Sequence, residues 1–206
     1  MLLYYITDRT QFPGSEAERC EFLLEKIREA VASGVDYIQL RERDLSTRQL
    51  QELAREVAGI VRGGGSKTRL LINSRADVAL AIDCDGVNLR SRDISPLDVK
   101  RIWRTTGSPL EPVVAVSCHS EEEVRSAQAG GADFAVFGPV FGKGASPGTG
   151  MTAFQAACRH KIPVLALGGV SLENARSCLA SGAAGVAGIR LFQQGDLENT
   201  VRDLRL

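Results

Sequence analysis

The chain has 206 residues, 44% of them hydrophobic and 24% charged, with 25 Lys plus Arg against 25 Asp plus Glu. That composition excludes a disordered chain, and the charge balance excludes a protein drawn by its overall field to nucleic acid or an anionic membrane. Any anion site must therefore be local. The length fits one α/β barrel, with residues 1–206 as a single domain. The opening MLLYYITDRT has no basic segment followed by an apolar one, and no apolar run approaches the ~18 residues of a membrane span, which predicts a cytoplasmic protein. Five scattered cysteines without metal-type spacing are predicted to be reduced thiols.

In chain order, LLYYI, VDYIQL, RLLI, DGVNL, PVVAV, ADFAVFG, IPVLAL and AGVAGI read as strands, with helical patterns between them. In the first helix, CEFLLEKIREAVAS, the spacing predicts an inward stripe of Phe22, Leu23, Lys26, Ile27, Ala30 and Val31. Strand followed by helix, repeated, means parallel strands with crossover helices. SGVDYIQL, CDGVNL, GGADFAVFG and SGAAGVAGI echo one another at intervals of about 50 residues, each restarting a strand after a small or turn residue. Four echoes, each marking every second unit, predict a single-domain TIM (β/α)8 barrel, and no GxGxxG follows the first strand to favour an open sheet.

Barrel chemistry gathers where strands end. Thr7, Asp8 and Arg9 follow the first strand as a turn into the next helix. Alternation puts Gln39, Arg41 and Arg43 on one face at the end of the second, where two guanidiniums form a phosphate fork; the plainer alternative is a solvated charged loop. Asn73 or Ser74 is predicted to cap the helix after the third strand, with Asp77 in its first turn. Asn88, Arg90 and Asp93 follow the fourth, before the helix start Ser95-Pro96, and Asp93 is a carboxylate able to face a metal. Ser117, Cys118 and His119 end the fifth, with Ser120 and Glu123 at capping-box spacing; His119 suits acid-base work or phosphate contact, or simply starts a helix. The glycine-rich stretch Gly138 to Gly150 predicts a cover carrying Lys143 to an anion. Gly168 and Gly169, before a helix near Leu172, and Gly188, Ile189 and Arg190 after the last strand would let backbone N–H groups approach a phosphate.

The ordered motifs YxITDR, IQLRERD, INSRADVA, GVNL with a following RD, VSCHSEEE, GADFAVFGPVF, IPVLALGGV and GAAGVAGI resemble the thiamine phosphate synthase and TenI superfamily over nearly the whole chain. The resemblance implies a TIM barrel that binds 4-methyl-5-hydroxyethylthiazole phosphate. Synthase members join it to hydroxymethylpyrimidine diphosphate and release pyrophosphate with Mg2+. It further implies that Gln39, Arg41 and Arg43 hold the diphosphate, that Asn73 and Ser117 contact substrate, that His119 belongs to the S-x-H motif, that Asp93 is a metal ligand, and that Gly168 and Gly169 hold the thiazole phosphate beside Gly188 and Ile189.

Four positions depart from the synthase pattern. Ser74 stands where the first metal carboxylate is found, and a neutral hydroxyl balances Mg2+ poorly. Lys143 falls at a Thr position of the phosphate loop and Ser146 at its Lys position; Asn88 replaces a His, and Arg190 lies near a phosphate-binding Ser. TenI-type thiazole tautomerases share the barrel and the catalytic His but need neither metal nor diphosphate. The alternatives to a synthase are thus a tautomerase using His119 and a non-catalytic thiazole phosphate binder. The expected partners are small phosphorylated substrates, not nucleic acid or membrane, and a homodimer is left open.

Overall fold

A computed structural model describes residues 1–107, 111–142 and 147–206. Eight strands, β1 (Leu2–Ile6), β2 (Tyr37–Leu40), β3 (Arg69–Asn73), β4 (Gly86–Arg90), β5 (Val113–Cys118), β6 (Phe134–Phe137), β7 (Val164–Leu167) and β8 (Gly185–Gly188), close into a barrel in sequence order. Every neighbouring pair is parallel, and β8 returns to β1 with Leu2 opposite Gly185. The TIM (β/α)8 barrel expected from the alternating pattern is the fold.

The connecting helices are α1 (Glu16–Ala32), α2 (Thr47–Gly63), α3 (Ala76–Ala81), α4 (Pro96–Thr105), α5 (Glu121–Ala129), α6 (Gly150–Ala157) and α7 (Leu172–Ala180), with α8 (Arg190–Gln193) and α9 (Leu197–Arg205) after the last strand. Ser15 with Glu18 and Ser46 with Gln49 form reciprocal capping boxes that fix where α1 and α2 begin. Leu23, Ile27, Ala30 and Val31 of α1 are buried as the periodicity requires, but Phe22 is 42% exposed and leans on Phe12 instead. A stripe counted from apolar spacing alone was one residue too wide.

Alternation along the strands divides the core in two. Residues such as Leu3, Tyr5, Ile38, Leu40, Leu70 and Ile72 point outward against the helices. Tyr4, Ile6, Leu71, Ala115, Phe134, Val136, Leu165 and Ala187 point into the barrel. Its lower half is plugged by aromatic rings, Tyr37 against Phe134 at 4.9 Å and Tyr4 edge-on to Phe134 at 5.5 Å. The barrel is therefore a packed core with open space only at the strand C-termini.

The sequence echoes have a physical cause. Asp36, Asp85 and Asp133 each donate their backbone N–H to the preceding strand, at Leu3, Leu70 and Val114, and their carboxylates accept the N–H of those same residues at 2.8, 2.8 and 2.7 Å. Each aspartate thus clamps an odd strand to the even strand after it. At the fourth repeat Ala184 keeps the backbone bond to Val164 but has no carboxylate to complete the clamp. Two residues before each of these positions the chain turns left-handed, at Gly34, Gly131 and Gly182 and, without glycine, at Asp83 (φ 50°).

Candidate active site

At the C-terminal ends of the strands lies a cavity of about 610 Å³ whose lining includes Gln39, Arg41, Arg43, Asn73, Ser117, His119 and Ile189. Most of these occupy inward positions of the same alternation that places Tyr4 and Ile6 inside the barrel. The floor is a chain of polar groups from four strands. Gln39 Nε2 donates to the Tyr4 hydroxyl at 2.8 Å, that hydroxyl donates to Asn88 Oδ1 at 3.1 Å, and Asn88 Nδ2 donates to Ser117 Oγ at 2.9 Å. Burial raises the Tyr4 pKa far above its ordinary value, so the phenol stays protonated and the chain keeps one direction. Gln39 and Asn88 are nearly inaccessible, at 2% and 1%, and fix the floor of the cavity that Gln39 helps to line.

Where β1 and β2 end, the basic segment is held from behind. Glu42, between Arg41 and Arg43, turns into the protein and accepts from Thr7 Oγ1 at 2.5 Å, from the Arg9 backbone N–H at 3.1 Å and from Arg9 Nη1 at 3.0 Å. The Thr7 hydroxyl in turn accepts the Arg41 N–H at 2.9 Å. Arg9, 2% exposed, also makes a two-pronged contact with Asp44, 2.7 Å on each side, and reaches Glu16 at 2.6 Å. Arg9 does open a helical turn ahead of α1, as expected, but its side chain is also a buried hub. Arg41 and Arg43 have no carboxylate within ion-pair distance among the described residues, so their charge is left for a ligand.

The corner where β3 and β4 end is built differently. Neither Asn73 nor Ser74 caps α3: the cap position is Arg75, without a side-chain cap bond, and Ser74 takes the left-handed conformation at φ 56°. Its Oγ is buried without a hydrogen-bond partner, an arrangement that a bound group with an acceptor would satisfy. Arg75 and Arg90 both line the cavity, Arg75 paired with Asp77 and Arg90 with Asp93. Asp93 lies outside the cavity lining, in the neighbouring groove beside α4 and α5. Burial alone would raise its pKa, but the Arg90 backbone N–H, the Arg90 guanidinium and the nearby Ser74 hydroxyl together hold it below the usual value.

On the opposite wall, His119 Nδ1 lies 2.5 Å from the Gly138 carbonyl. A carbonyl only accepts, so Nδ1 donates to it, and Nε2 is the ring nitrogen left without a protein partner among the described residues. The capping box expected at Ser120 is half formed: the serine hydroxyl accepts the Glu123 N–H, but the Glu123 carboxylate accepts the His119 N–H at 2.6 Å and so braces the histidine. Cys118 points away into the core, and burial pushes its thiol up to about 12.

Gly168 and Gly169 both have positive φ, 92° and 67°, and a Cβ on either would strike Pro139 or Phe141 at 2.6 to 2.7 Å. Only glycine lets the β7 end pass under the β6 loop. Their N–H groups and that of Val170 find no acceptor among the described residues, which leaves a row of donors ahead of α7. Gly168, Gly169 and Gly188 do not line the main cavity, whereas Leu167 and Ile189 beside them do. Lys143 and Ser146 lie outside the described residues.

Tyr4, Glu42 and Arg75 do not stand out along the chain, because Tyr4 lies in an apolar run, Glu42 in a charged one and Arg75 in the turn into α3. The sequence places Arg90 at the end of β4 with Asn88 and Asp93, but without a role at the cavity. For Arg90 the signal was present, since it stands two residues after Asn88 on the inward face.

A closed βα barrel with a polar cavity at its strand C-termini belongs to the class of barrel proteins whose sites are made by the βα loops. The chain matches the family model described as thiamine monophosphate synthase over residues 3–192, and it belongs to that family. It is 38% identical to the thiamine-phosphate synthase of Syntrophomonas wolfei, covering 98% of this chain and 94% of the relative. With the thiamine-phosphate synthase of Caldanaerobacter subterraneus it shares 34% identity over 98% of this chain and 91% of the other. The solved thiamine phosphate pyrophosphorylase of Pyrococcus furiosus superposes with a TM-score of 0.80 at 32% identity, covering 99% of this chain and 93% of that one. Among the described residues no helix is long and apolar enough to cross a membrane.

Proposed function

We propose that this chain is a cytoplasmic thiamine-phosphate synthase, joining 4-methyl-5-hydroxyethylthiazole phosphate to hydroxymethylpyrimidine diphosphate and releasing pyrophosphate. The observation that carries this reading is the convergence of Arg41, Arg43, Arg75 and Arg90 on one cavity where, among the described residues, the only lining carboxylate is Glu42, turned away and paired with Arg9. Such a cavity favours a ligand with several negative charges. In the reaction, the bond from the pyrimidine methylene carbon to the diphosphate oxygen breaks and the oxygen keeps the electron pair. The thiazole nitrogen then gives its lone pair to that carbon. Arg41 and Arg43 stabilise the charge that grows on the departing diphosphate, and the polar floor with Asn73 and Ser117 holds the rings in line. The N–H groups at Gly168 and Gly169, with Gly188 and Ile189 beside them, suit the thiazole phosphate.

The Mg2+ that family resemblance implies does not fit these residues. Among the described residues Glu42 is taken by Arg9, Asp77 by Arg75 and both oxygens of Asp93 by Arg90, and Ser74 adds only a neutral hydroxyl. Among the described residues no three His, Cys, Asp or Glu side chains converge as a metal group.

The test is formation of thiamine phosphate by purified protein from the two substrates. The expected result is product formation that falls about 100-fold or more in kcat/KM in Arg41→Ala, the scale of losing a preorganised charge at a leaving group. Binding of thiazole phosphate without product would overturn the synthase reading and leave the non-catalytic binder. A second reading, thiazole tautomerase, is favoured by the free Nε2 of His119; there His119→Asn abolishes turnover, whereas the synthase keeps part of its rate.

A further inference from the structure

The positive charge that a diphosphate needs at the β3 and β4 ends is already present as a side chain. Arg90 is an inward position of β4, lines the cavity and is 73% exposed along its side chain. It is nonetheless not loose. Asp93 Oδ2 accepts the Arg90 backbone N–H at 2.8 Å, while Oδ1 faces Nε at 3.1 Å and Nη2 at 3.0 Å. One edge of the guanidinium is thereby anchored, and Nη1 has no partner among the described residues. Beside it, Ser74 holds a buried hydroxyl on a left-handed backbone, near the Asp93 carboxylate but without a formed hydrogen bond.

A divalent cation placed here would sit next to a guanidinium and would have to take Asp93 from it. A phosphate oxygen meets the opposite situation. The free guanidinium edge offers charge-assisted N–H donors, and the Ser74 hydroxyl can satisfy itself by donating to the same anion. We infer that Arg90, anchored by Asp93 and assisted by Ser74, takes the place of a bound cation, so that this chain binds the diphosphate group of its substrate without a divalent metal. Asp93 is then a positioning residue for Arg90, not a metal ligand. The inference rests on the synthase reading for its substrate, but its test does not need turnover.

Inorganic pyrophosphate is the probe, titrated calorimetrically into the full chain in EDTA and, separately, in excess Mg2+. The expected result is binding in EDTA, weakened about 10- to 100-fold in Arg90→Ala, as loss of a hydrogen bond to a charged group implies. Asp93→Asn should weaken it less, because the guanidinium remains but loses its anchor. In the double variant Ser74→Asp with Arg90→Ala, binding should come to depend on Mg2+. Pyrophosphate that binds only with Mg2+, or that binds in EDTA equally well to Arg90→Ala, overturns the inference. Metal-free binding without thiamine phosphate formation would sink the synthase reading and leave this site standing; Mg2+-dependent synthesis would do the reverse.

Discussion

Two corners of the barrel mouth each pair an arginine with carboxylates, and they do so in opposite ways. At the β1 and β2 ends Arg9 and Glu42 are 2% and 1% exposed, and the pair is saturated by Thr7 and Asp44. At the β3 and β4 ends Arg90 is 73% and Asp93 15% exposed, with a guanidinium edge left over. The buried pair cannot meet a ligand. What it does is fix the backbone from which Arg41 and Arg43 project, at the cost of removing two charges from water. The exposed pair fixes little backbone and presents charge. Identical chemistry thus serves positioning in one corner and recognition in the other, and burial decides which.

That contrast can be broken most sharply at Arg9. Arg9→Ala leaves Glu42 buried without its cation, and urea unfolding should show a loss of about 3–5 kcal/mol; an unchanged midpoint would mean water reaches Glu42 freely. Next comes Asp44, whose carboxyl the Arg9 hydrogen bonds hold below its usual pKa. A depressed folded pKa stabilises the fold above the ordinary carboxylate range, and the contribution is lost as pH falls through the lowered value. Asp44→Asn should therefore flatten the acid limb of stability below about pH 4. Because the Asp44 side chain is 57% exposed, the effect at neutral pH should be only about 1 kcal/mol. The smallest change belongs to the other corner: Asp93→Asn should shift thermal unfolding by under about 1 kcal/mol, and a loss as large as that of Arg9→Ala would erase the distinction.

The strands and their inward faces were legible because each is a short β-rich run bounded by turn residues, and a period of two assigns the faces with no tertiary knowledge. Gln39, Arg41 and Arg43 could be placed together on that ground alone. Arg9 could not, because its carboxylate partner Glu42 lies 33 residues away and a charged residue after a strand reads as a turn. The floor was hidden for the same reason, Tyr4 and Asn88 being 84 positions apart. Ser74 was misread because Ser-x-x-Asp is a local cap signal, and a local signal cannot register that the backbone turns left-handed before the helix starts.

The three aspartate clamps leave the ring of strands unequal around its circumference. Of the four joints from an odd strand to the even strand after it, three are riveted in this way and β7 to β8 is not, Ala184 offering Val164 only a main-chain bond. Above it stand Gly168 and Gly188, so the unclamped odd-to-even joint runs beneath the glycines proposed to meet the thiazole phosphate. The part of the mouth that depends on bare backbone rather than on arginine side chains thus stands on the one odd-to-even joint that lacks a carboxylate clamp.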